Sequence, residues 1–405
     1  MTSATPSTTR RVPRAPVPAP PRSVDAPPTG AGSQGHVDAL DGVRGIAILL
    51  VMLVHGVANL EASGWARLPV AMARFGWSGV DLFFVLSGWL ITRILLEDRG
   101  RAGALPAFFA RRALRIWPLY FLVLAGLSVL AYGWPAFQPG DAAEFRRAMP
   151  WYWTHTFNWY LIVHPSGDTG AYGTGTFWSL ALEEQFYLVW PFVVQRLHGR
   201  ALARTCGALA VGSALLRILL TVVGVSFPLA VLPFTRLEGL AVGAGLAALR
   251  DVPEAWARLR RWTAPLADSP VRLVIAALAC HALLTWVTQL DPELLQVVGV
   301  PTVVCVWGAL VLAVVAHGPE TPLARILTVR PLRAVGRISY GLYVFHLPAI
   351  FLVSCAAVAW RPGTSLAAIF WTGYAVTFVA ALLSWRLWER PWLALKRWVP
   401  RPARA

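Results

Sequence analysis

Charge is scarce in this 405-residue chain: 14% of its residues are charged and 57% are hydrophobic, with a mean hydropathy of +0.56. So little charge excludes a soluble domain of this length, because a soluble surface needs far more polar area to face water. Cysteine is scarce as well. The four present (Cys206, Cys280, Cys305, Cys355) all fall inside apolar runs, which excludes a disulfide framework or a CxxC metal site and leaves them as small apolar packers. No internal repeat suggests a transporter built of two related halves. A secretory signal is not expected, since the first apolar stretch, Gly45–Val57, comes late and no small-residue cleavage pattern follows it. Acidic residues are few: 20 against 36 basic ones, a formal net charge of +16. In a soluble protein that balance would suggest nucleic acid. Here the basic residues lie between apolar runs, so the positive-inside rule explains them and no nucleic-acid partner is expected.

What the chain has in abundance is apolar runs of about 20 residues, the length that crosses roughly 30 Å of hydrocarbon. Ten spans are expected, near 43–61, 79–96, 114–132, 178–195, 203–224, 228–249, 272–289, 295–316, 337–358 and 366–386. The fold class is therefore all-α, a polytopic membrane helical bundle. Residues 1–36, rich in Pro, Ala, Ser, Thr and Arg, are expected to form a disordered cytoplasmic tail. The membrane domain is expected over 37–395, with a short basic cytoplasmic tail over 396–405. If the N-terminus is cytoplasmic, the inner segments and inner span ends hold 28 of the 36 basic residues. The outer loops then hold five (Arg67, Arg74, Arg146, Arg147, Arg361), and Arg93, Arg217 and Arg236 lie within spans. Both termini are thus expected in the cytoplasm. The longest outer segment, about 132–177, is rich in Trp and Tyr, which serve as interfacial anchors or as a cap able to receive a sugar face.

Several spans carry charge at a depth where an ionised group costs about 2.5–3.5 kcal/mol on insertion scales. The first begins LDGVRGIAILLVMLVHG, with Arg44 and His55 eleven steps apart. That is close to three helical turns and roughly 16 Å along the axis, so both lie on one face. Arg44 can simply snorkel and His55 can bond a neighbouring helix; an imidazole at that depth is also what proton abstraction from a hydroxyl needs. The second span, GVDLFFVLSGWLIT, places Asp81 near its outer N-terminus, where the helix dipole favours a carboxylate, and Ser87 and Gly88 where small residues allow close packing. The fourth, FWSLALEEQFYLVWP, sets Glu183 and Glu184 about 100° apart, with Glu184 roughly 10 Å below the outer surface. One of them is expected to pair with Arg236 or Arg217. The ninth, RISYGLYVFHLPAI, puts His346 roughly 14 Å deep from the inner side. Arg236 and Glu238 of the sixth fall at an overlapping depth, and convergence of all these groups on one buried polar chamber is the economical expectation.

Those four motifs, RLEGLAVGAG aside, together with the closing SWRLWERPW resemble the successive motifs of the acyltransferase-3 family over about residues 38–393. The resemblance implies a membrane O-acyltransferase, one that moves groups other than amino-acyl groups, placing acetyl or another short acyl group on a carbohydrate or a glycosylated natural product. It implies acyl-CoA as donor substrate, no tightly bound cofactor, no metal, and a carbohydrate or glycoside acceptor, in the cell membrane. The family's arginine and histidine fall on Arg44 and His55 with the same ten-residue gap, and its glutamate on Glu184. His346, flanked by Phe345 and Leu347, sits where the family motif is usually more aromatic. In this reading Arg44 anchors the donor's phosphates, and His55 acts as general base or carries the acyl group. Glu184 or Asp81 orients the imidazolium, His346 joins the catalytic set, and Asp41, Glu183, Arg236 and Glu238 support them. Some members carry an extra C-terminal hydrolase-like domain; the chain reaches residue 405 without one, so a later transfer step is expected to need another protein or none. The competing expectation is a transporter or exporter of a small acid or lipid-linked saccharide, using the same buried charges with no covalent chemistry.

Overall fold

The computed structural model describes residues 38–57, 70, 73–134, 137–164, 170–225, 230–290 and 294–400. The expected N-terminal tail and the last five residues of the C-terminal tail lie outside them. Most of the described residues are helical, with no β-strand among them. In chain order the helices are α1 (Asp38–Val57), α2 (Ser78–Glu97), α3 (Ala104–Gly133), α4 (Pro139–Trp153), α5 (Phe157–Val163), α6 (Phe177–Arg196), α7 (Gly199–Val222), α8 (Pro233–Arg236) and α9 (Glu238–Leu249). They continue with α10 (Pro253–Asp268), α11 (Pro270–Leu290), α12 (Val300–His317), α13 (Pro322–Leu327), α14 (Arg330–Arg337), α15 (Ser339–Trp360), α16 (Leu366–Ser384) and α17 (Arg390–Ala394).

Seven of these segments are long and apolar enough to cross a bilayer, and an eighth is gained if α10 and α11, bent by 96° at their junction, make one span. Many residues on their outer faces are large and apolar: Val129, Leu188, Val222 and Trp371 are all exposed, which suits a solvent of lipid tails rather than water. The chain is a multi-pass helical membrane protein. Two expected spans take a different form. The fourth is α6, twenty residues long, whose Glu183, Glu184, Gln185 and Arg196 dilute its hydropathy. The sixth is broken: α8 has four residues starting at Pro233 and α9 has twelve, too few to cross about 30 Å of hydrocarbon.

What holds α9 in place is close backbone packing. It lies between α2 and α7, and its small residues interlock with those of α2. A Cβ added at Gly88 would run into the Leu240 carbonyl, and one at Gly243 into the Val85 carbonyl. Small residues at such a contact let two backbones approach, the usual source of helix association where water supplies no driving force. Gly88 thus does what its size suggests, while its neighbour Ser87 turns to a cavity on another face.

The segment expected as one long outer loop is itself helical and folds back. The chain descends along α3 through α4 and rises again through α5. At the apex, the His155 carbonyl accepts from the Gln185 amide at 2.8 Å, and the Tyr152 carbonyl accepts from the Tyr120 hydroxyl at 2.9 Å. Gln185 is eight steps into α6, so the apex sits about 12 Å down from that helix's start.

Candidate active site

The N-terminal half of α1 and α3 line a common cavity that is partly open to solvent. Three guanidiniums line it: Arg44 from α1, and Arg112 and Arg115 from α3, three residues apart and so on one helical face. They are close enough to act on one another electrostatically. Arg44 donates to Asp41 at 2.9 Å, and Arg337 approaches the other oxygen of that carboxylate at 3.6 Å. Arg112 lies over the Tyr187 ring, 4.3 Å from its centre, a cation–π contact that holds the group without neutralising it. Neither Arg112 nor Arg115 forms an ion pair among the described residues. Glu183, Glu184 and Glu389 act on these guanidiniums electrostatically without forming an ion pair with Arg112 or Arg115, which leaves the forks of both arginines open to a polyanion such as a phosphate chain.

Glu183 and Glu184 line the same cavity, but neither pairs with Arg217 or Arg236. Glu183 accepts from Ser87 at 3.1 Å and from Tyr187 at 2.7 Å. Glu184 accepts from the Trp117 indole N–H at 3.1 Å, and its second oxygen is buried without a partner. Ser179, Tyr340 and Tyr343 complete the polar wall. Tyr343 shares its hydroxyl with Ser179 at 2.5 Å, and that hydroxyl lies 3.1 Å from the Thr176 carbonyl.

The two histidines come together behind this wall. His55, at the outer end of α1, and His346, in the middle of α15, have ring centres 5.0 Å apart, and the Tyr343 ring stands 5.6 Å from His346. Tyr343 is therefore common to the cavity and the histidine pair. Each imidazole points Nδ1 at a backbone carbonyl, His55 at Val51 (2.7 Å) and His346 at Tyr343 (2.7 Å). A carbonyl only accepts, so Nδ1 carries the proton on both rings and each neutral Nε2 keeps its lone pair. The Nε2 of His346 is buried and unpartnered. Orientation of His55 thus comes from its own helix backbone. Neither Asp81 nor Glu184, the carboxylates expected to orient it, is bonded to it.

Asp81 belongs to a separate cluster. It pairs with Arg236 at 2.9 Å, while Glu238 pairs with Arg217 at 2.5 Å, and all four side chains are buried. Arg217 also donates to the Thr235 and Gln296 carbonyls at 2.5 and 2.6 Å. The single polar chamber expected from depth is therefore three neighbouring arrangements: a cationic cavity, a histidine pair and a sealed ion-pair quartet. Helix depth gives the height of each group but not the direction in which it points.

A fourth feature sits at the α4–α5 apex. His155 has a left-handed backbone, φ 52°, and its ring stacks on Tyr120 with centres 4.3 Å apart. Both ring nitrogens are buried without a partner, and burial pushes this loop imidazole down to about 4, so it is neutral.

Sequence reasoning missed Arg112, Arg115, Ser179, Tyr187, Tyr340 and Tyr343. The signal for the arginines was their three-residue spacing. It was obscured because the apolar window opens at residue 114, ten residues after α3 begins, so Arg112 fell in an inner loop and Arg115 at the inner end of a span, both counted only as topology charges.

A family model described as an acyltransferase domain matches residues 37–386. Among curated relatives, the chain is 30% identical over 376 residues to the peptidoglycan O-acetyltransferase OatA of Listeria monocytogenes, covering 89% of this chain and 56% of that protein. It is 30% identical over 375 residues to the putative peptidoglycan O-acetyltransferase YrhL of Bacillus subtilis, covering 88% and 55%. It is 25% identical over 372 residues to the O-acetyltransferase OatA of Staphylococcus aureus, covering 89% and 57%. The chain spans about half the length of these relatives. No solved structure matches.

Proposed function

The chain belongs to the acyltransferase family matched over residues 37–386, and from that premise we propose that it moves an acetyl group from acyl-CoA to a hydroxyl of a cell-envelope glycan. The activity for which the relatives are named, peptidoglycan O-acetylation, supports that acceptor class. The Arg-rich mouth faces the cytoplasm in this reading, in keeping with the inward bias of basic residues.

The observation that carries the reading is the pair of imidazoles whose Nδ1–H groups face backbone carbonyls, leaving Nε2 unprotonated, at one end of α1, while Arg44 lines an arginine-bearing cavity near the other. Eleven residues of helix separate Arg44 from His55 by roughly 16 Å, a distance that the extended arm of an acyl-CoA covers. Arg44, Arg112 and Arg115 hold the donor's phosphates at the cytoplasmic mouth. The thioester lies along the cavity, past Ser179 and Tyr343. His55 Nε2 takes the proton of the acceptor hydroxyl as its oxygen attacks the thioester carbonyl. The C–S bond breaks, and the leaving thiolate recovers the proton from the imidazolium. His346 and the Val51 carbonyl hold the base in place, and the unpartnered oxygen of Glu184 is available to an acceptor hydroxyl.

The test compares mass spectra of envelope glycans and secreted glycosides from cells lacking the protein, complemented with wild type or His55→Ala. Loss of an acetyl-sized mass in the deletion, restored by wild type alone, is the expected result. Restoration by a His55→Ala variant present in the membrane would rule out the base assignment. A molecule whose location changes while its mass does not would mark a transporter instead.

A further inference from the structure

A proline sets the direction of one helix against the membrane. Ser269 precedes Pro270, and a residue in that position is pushed out of the helical region; it is extended, at φ −140° and ψ 97°. α10 ends there, and α11 leaves at 96° to it. α11 has 21 residues, about 31 Å of helix, enough to cross the hydrocarbon alone. Val271, Val274, Ile275 and Trp286 along it are exposed, as lipid-facing side chains are. A helix at a right angle to a span runs along the membrane plane. Exposed Arg258, Arg260 and Arg261 keep α10 out of the hydrocarbon itself. It therefore lies at the boundary, at the end of the bundle that the basic bias assigns to the cytoplasm.

One face of α10 is seated in protein. Trp256 stacks on Trp89 of α2, with ring centres 6.0 Å apart and planes 21° from parallel. The Thr263 hydroxyl lies 3.1 Å from His317 Nε2 at the end of α12, and Thr263 and Ala267 are fully buried. At about 100° per residue the two sides of this seat differ. Ala255, Leu259, Trp262 and Leu266 fall on one side, with no charge among them; Trp262 is 66% exposed. Ala257, Ala264 and Asp268 fall on the other, with Arg260 at the seat's edge and Arg261 and Glu254 further out. Arg258 stands opposite the seat, one turn before Trp262. Glu254 is already taken by Arg200 at 2.7 Å.

A helix surrounded by water gains nothing from an apolar side, and one surrounded by lipid gains nothing from a charged side. With the third face held by α2 and α12, the apolar side borders the layer that Val271 and Val274 enter in the first turn of α11. That continuity selects a bilayer as the occupant. We propose that α10 is a docking surface for the inner leaflet: Leu259 and Trp262 rest at the edge of the acyl chains, and Arg258 holds the phosphate of an anionic phospholipid. This surface is independent of the chemistry at the cavity.

The test places benzoylphenylalanine, which photocrosslinks to nearby C–H bonds, at single positions of the full chain. The protein is held in nanodiscs of equal phosphatidylglycerol and phosphatidylcholine, and adducts are read by mass spectrometry. Trp262→benzoylphenylalanine and Leu259→benzoylphenylalanine are expected to give phospholipid adducts that Ala257→benzoylphenylalanine and Asp268→benzoylphenylalanine lack. At position 262 phosphatidylglycerol should exceed phosphatidylcholine by about fivefold, the pull of one basic residue at an anionic surface. Arg258→Gln should return that ratio to the bilayer's own. Lipid adducts from both sides alike, or none from 259 and 262, overturn the surface. So do adducts at 259 and 262 to a second copy of the chain, which would make this side a protein interface. No phosphatidylglycerol excess, or an excess unchanged in Arg258→Gln, overturns the phosphate contact. Thermal unfolding in detergent identifies any variant that fails to fold, and positions 259 and 262 sample the same side independently.

Discussion

Arg217 and Arg115 are both guanidiniums inside an apolar bundle, and their surroundings differ in kind. Arg217 is 0% exposed and uses three nitrogens on Glu238 and two backbone carbonyls. With Arg236 and Asp81 it forms a quartet that is electrically neutral. Arg236 is also roofed by Trp178 and Phe84, at 5.7 and 6.0 Å. Arg115 faces an open cavity beside two other guanidiniums, and the two carboxylates in that wall bond to hydroxyls and an indole rather than to it. A buried charge matched one to one by its neighbours has nothing left to offer a ligand. Arg115 is half-buried and acted on by Glu389 without an ion pair, so its guanidinium fork remains free to meet a ligand's anionic oxygens. The quartet thus reads as a brace for the broken α8–α9 element, and the cavity as a place where a substrate completes the electrostatics.

The largest effect should fall on the chemical side of this divide. His55→Ala is expected to lower acetyl transfer by about 10²–10⁴-fold, the usual contribution of a positioned acid–base group, with the protein still present in the membrane. The measurement is acetylated glycan per unit of membrane-extracted protein. Next comes the quartet. Arg217→Met leaves Glu238 without its partner and should cost about 3–5 kcal/mol of stability, read as a lowered midpoint of thermal unfolding in detergent. The folded remainder should keep the wild-type KM for acetyl-CoA. Normal stability with lost transfer would invert the comparison. The cavity arginines should show the reverse pattern. Arg112→Met and Arg115→Met are each expected to raise the acetyl-CoA KM by about 10–100-fold, from charge-assisted bonds of about 1.5–3 kcal/mol. Their thermal stability should change little, because relieved repulsion among the guanidiniums is set against lost attraction to Glu183, Glu184 and Glu389. Added salt should raise the wild-type donor KM and affect these variants less.

These distinctions were only partly legible in the sequence. The bundle was, because apolar runs of membrane length, repeated along a chain with so little charge, leave water no surface to solvate. The motifs also singled out Arg44, which the structure sets in the cavity wall, and His55 and His346, which it sets side by side. Partnership was not legible. Asp81 and Glu184 both lie in the N-terminal half of their helices, yet one is paired with Arg236 and the other faces the cavity. Which way each points depends on helix rotation and on packing against α9, information that is spread over the whole chain. The α4–α5 hairpin was hidden for a different reason: its Asp141, Glu144, Arg146 and Arg147 lower its hydropathy, so an apolar-run reading sees only a loop. Glu144 is in fact buried, accepting from Tyr160 and paired with Arg147.

The smallest effect probes the packing that keeps the two regions apart. At Gly243 an added Cβ would meet the Val85 carbonyl and approach the Trp89 backbone nitrogen to 2.8 Å. Both atoms are backbone, so nothing flexible can yield and α9 must move off α2. Gly243→Ala is expected to destabilise the protein by about 1–3 kcal/mol, the usual cost of overpacking. Gly207→Ala, on α7 with no atom within 4 Å of the new methyl, is the matched control. There the helix gains about 0.5–1 kcal/mol, because alanine loses less conformational freedom than glycine on becoming helical. The discriminating readout is donor affinity. α9 contributes Glu238 to the quartet and no residue to the cavity wall, so the Gly243→Ala protein that remains folded should bind acetyl-CoA as wild type does. If its donor KM rises instead, the α2–α9 contact holds the cavity in shape as well as the quartet, and the two buried charge clusters are one mechanical unit.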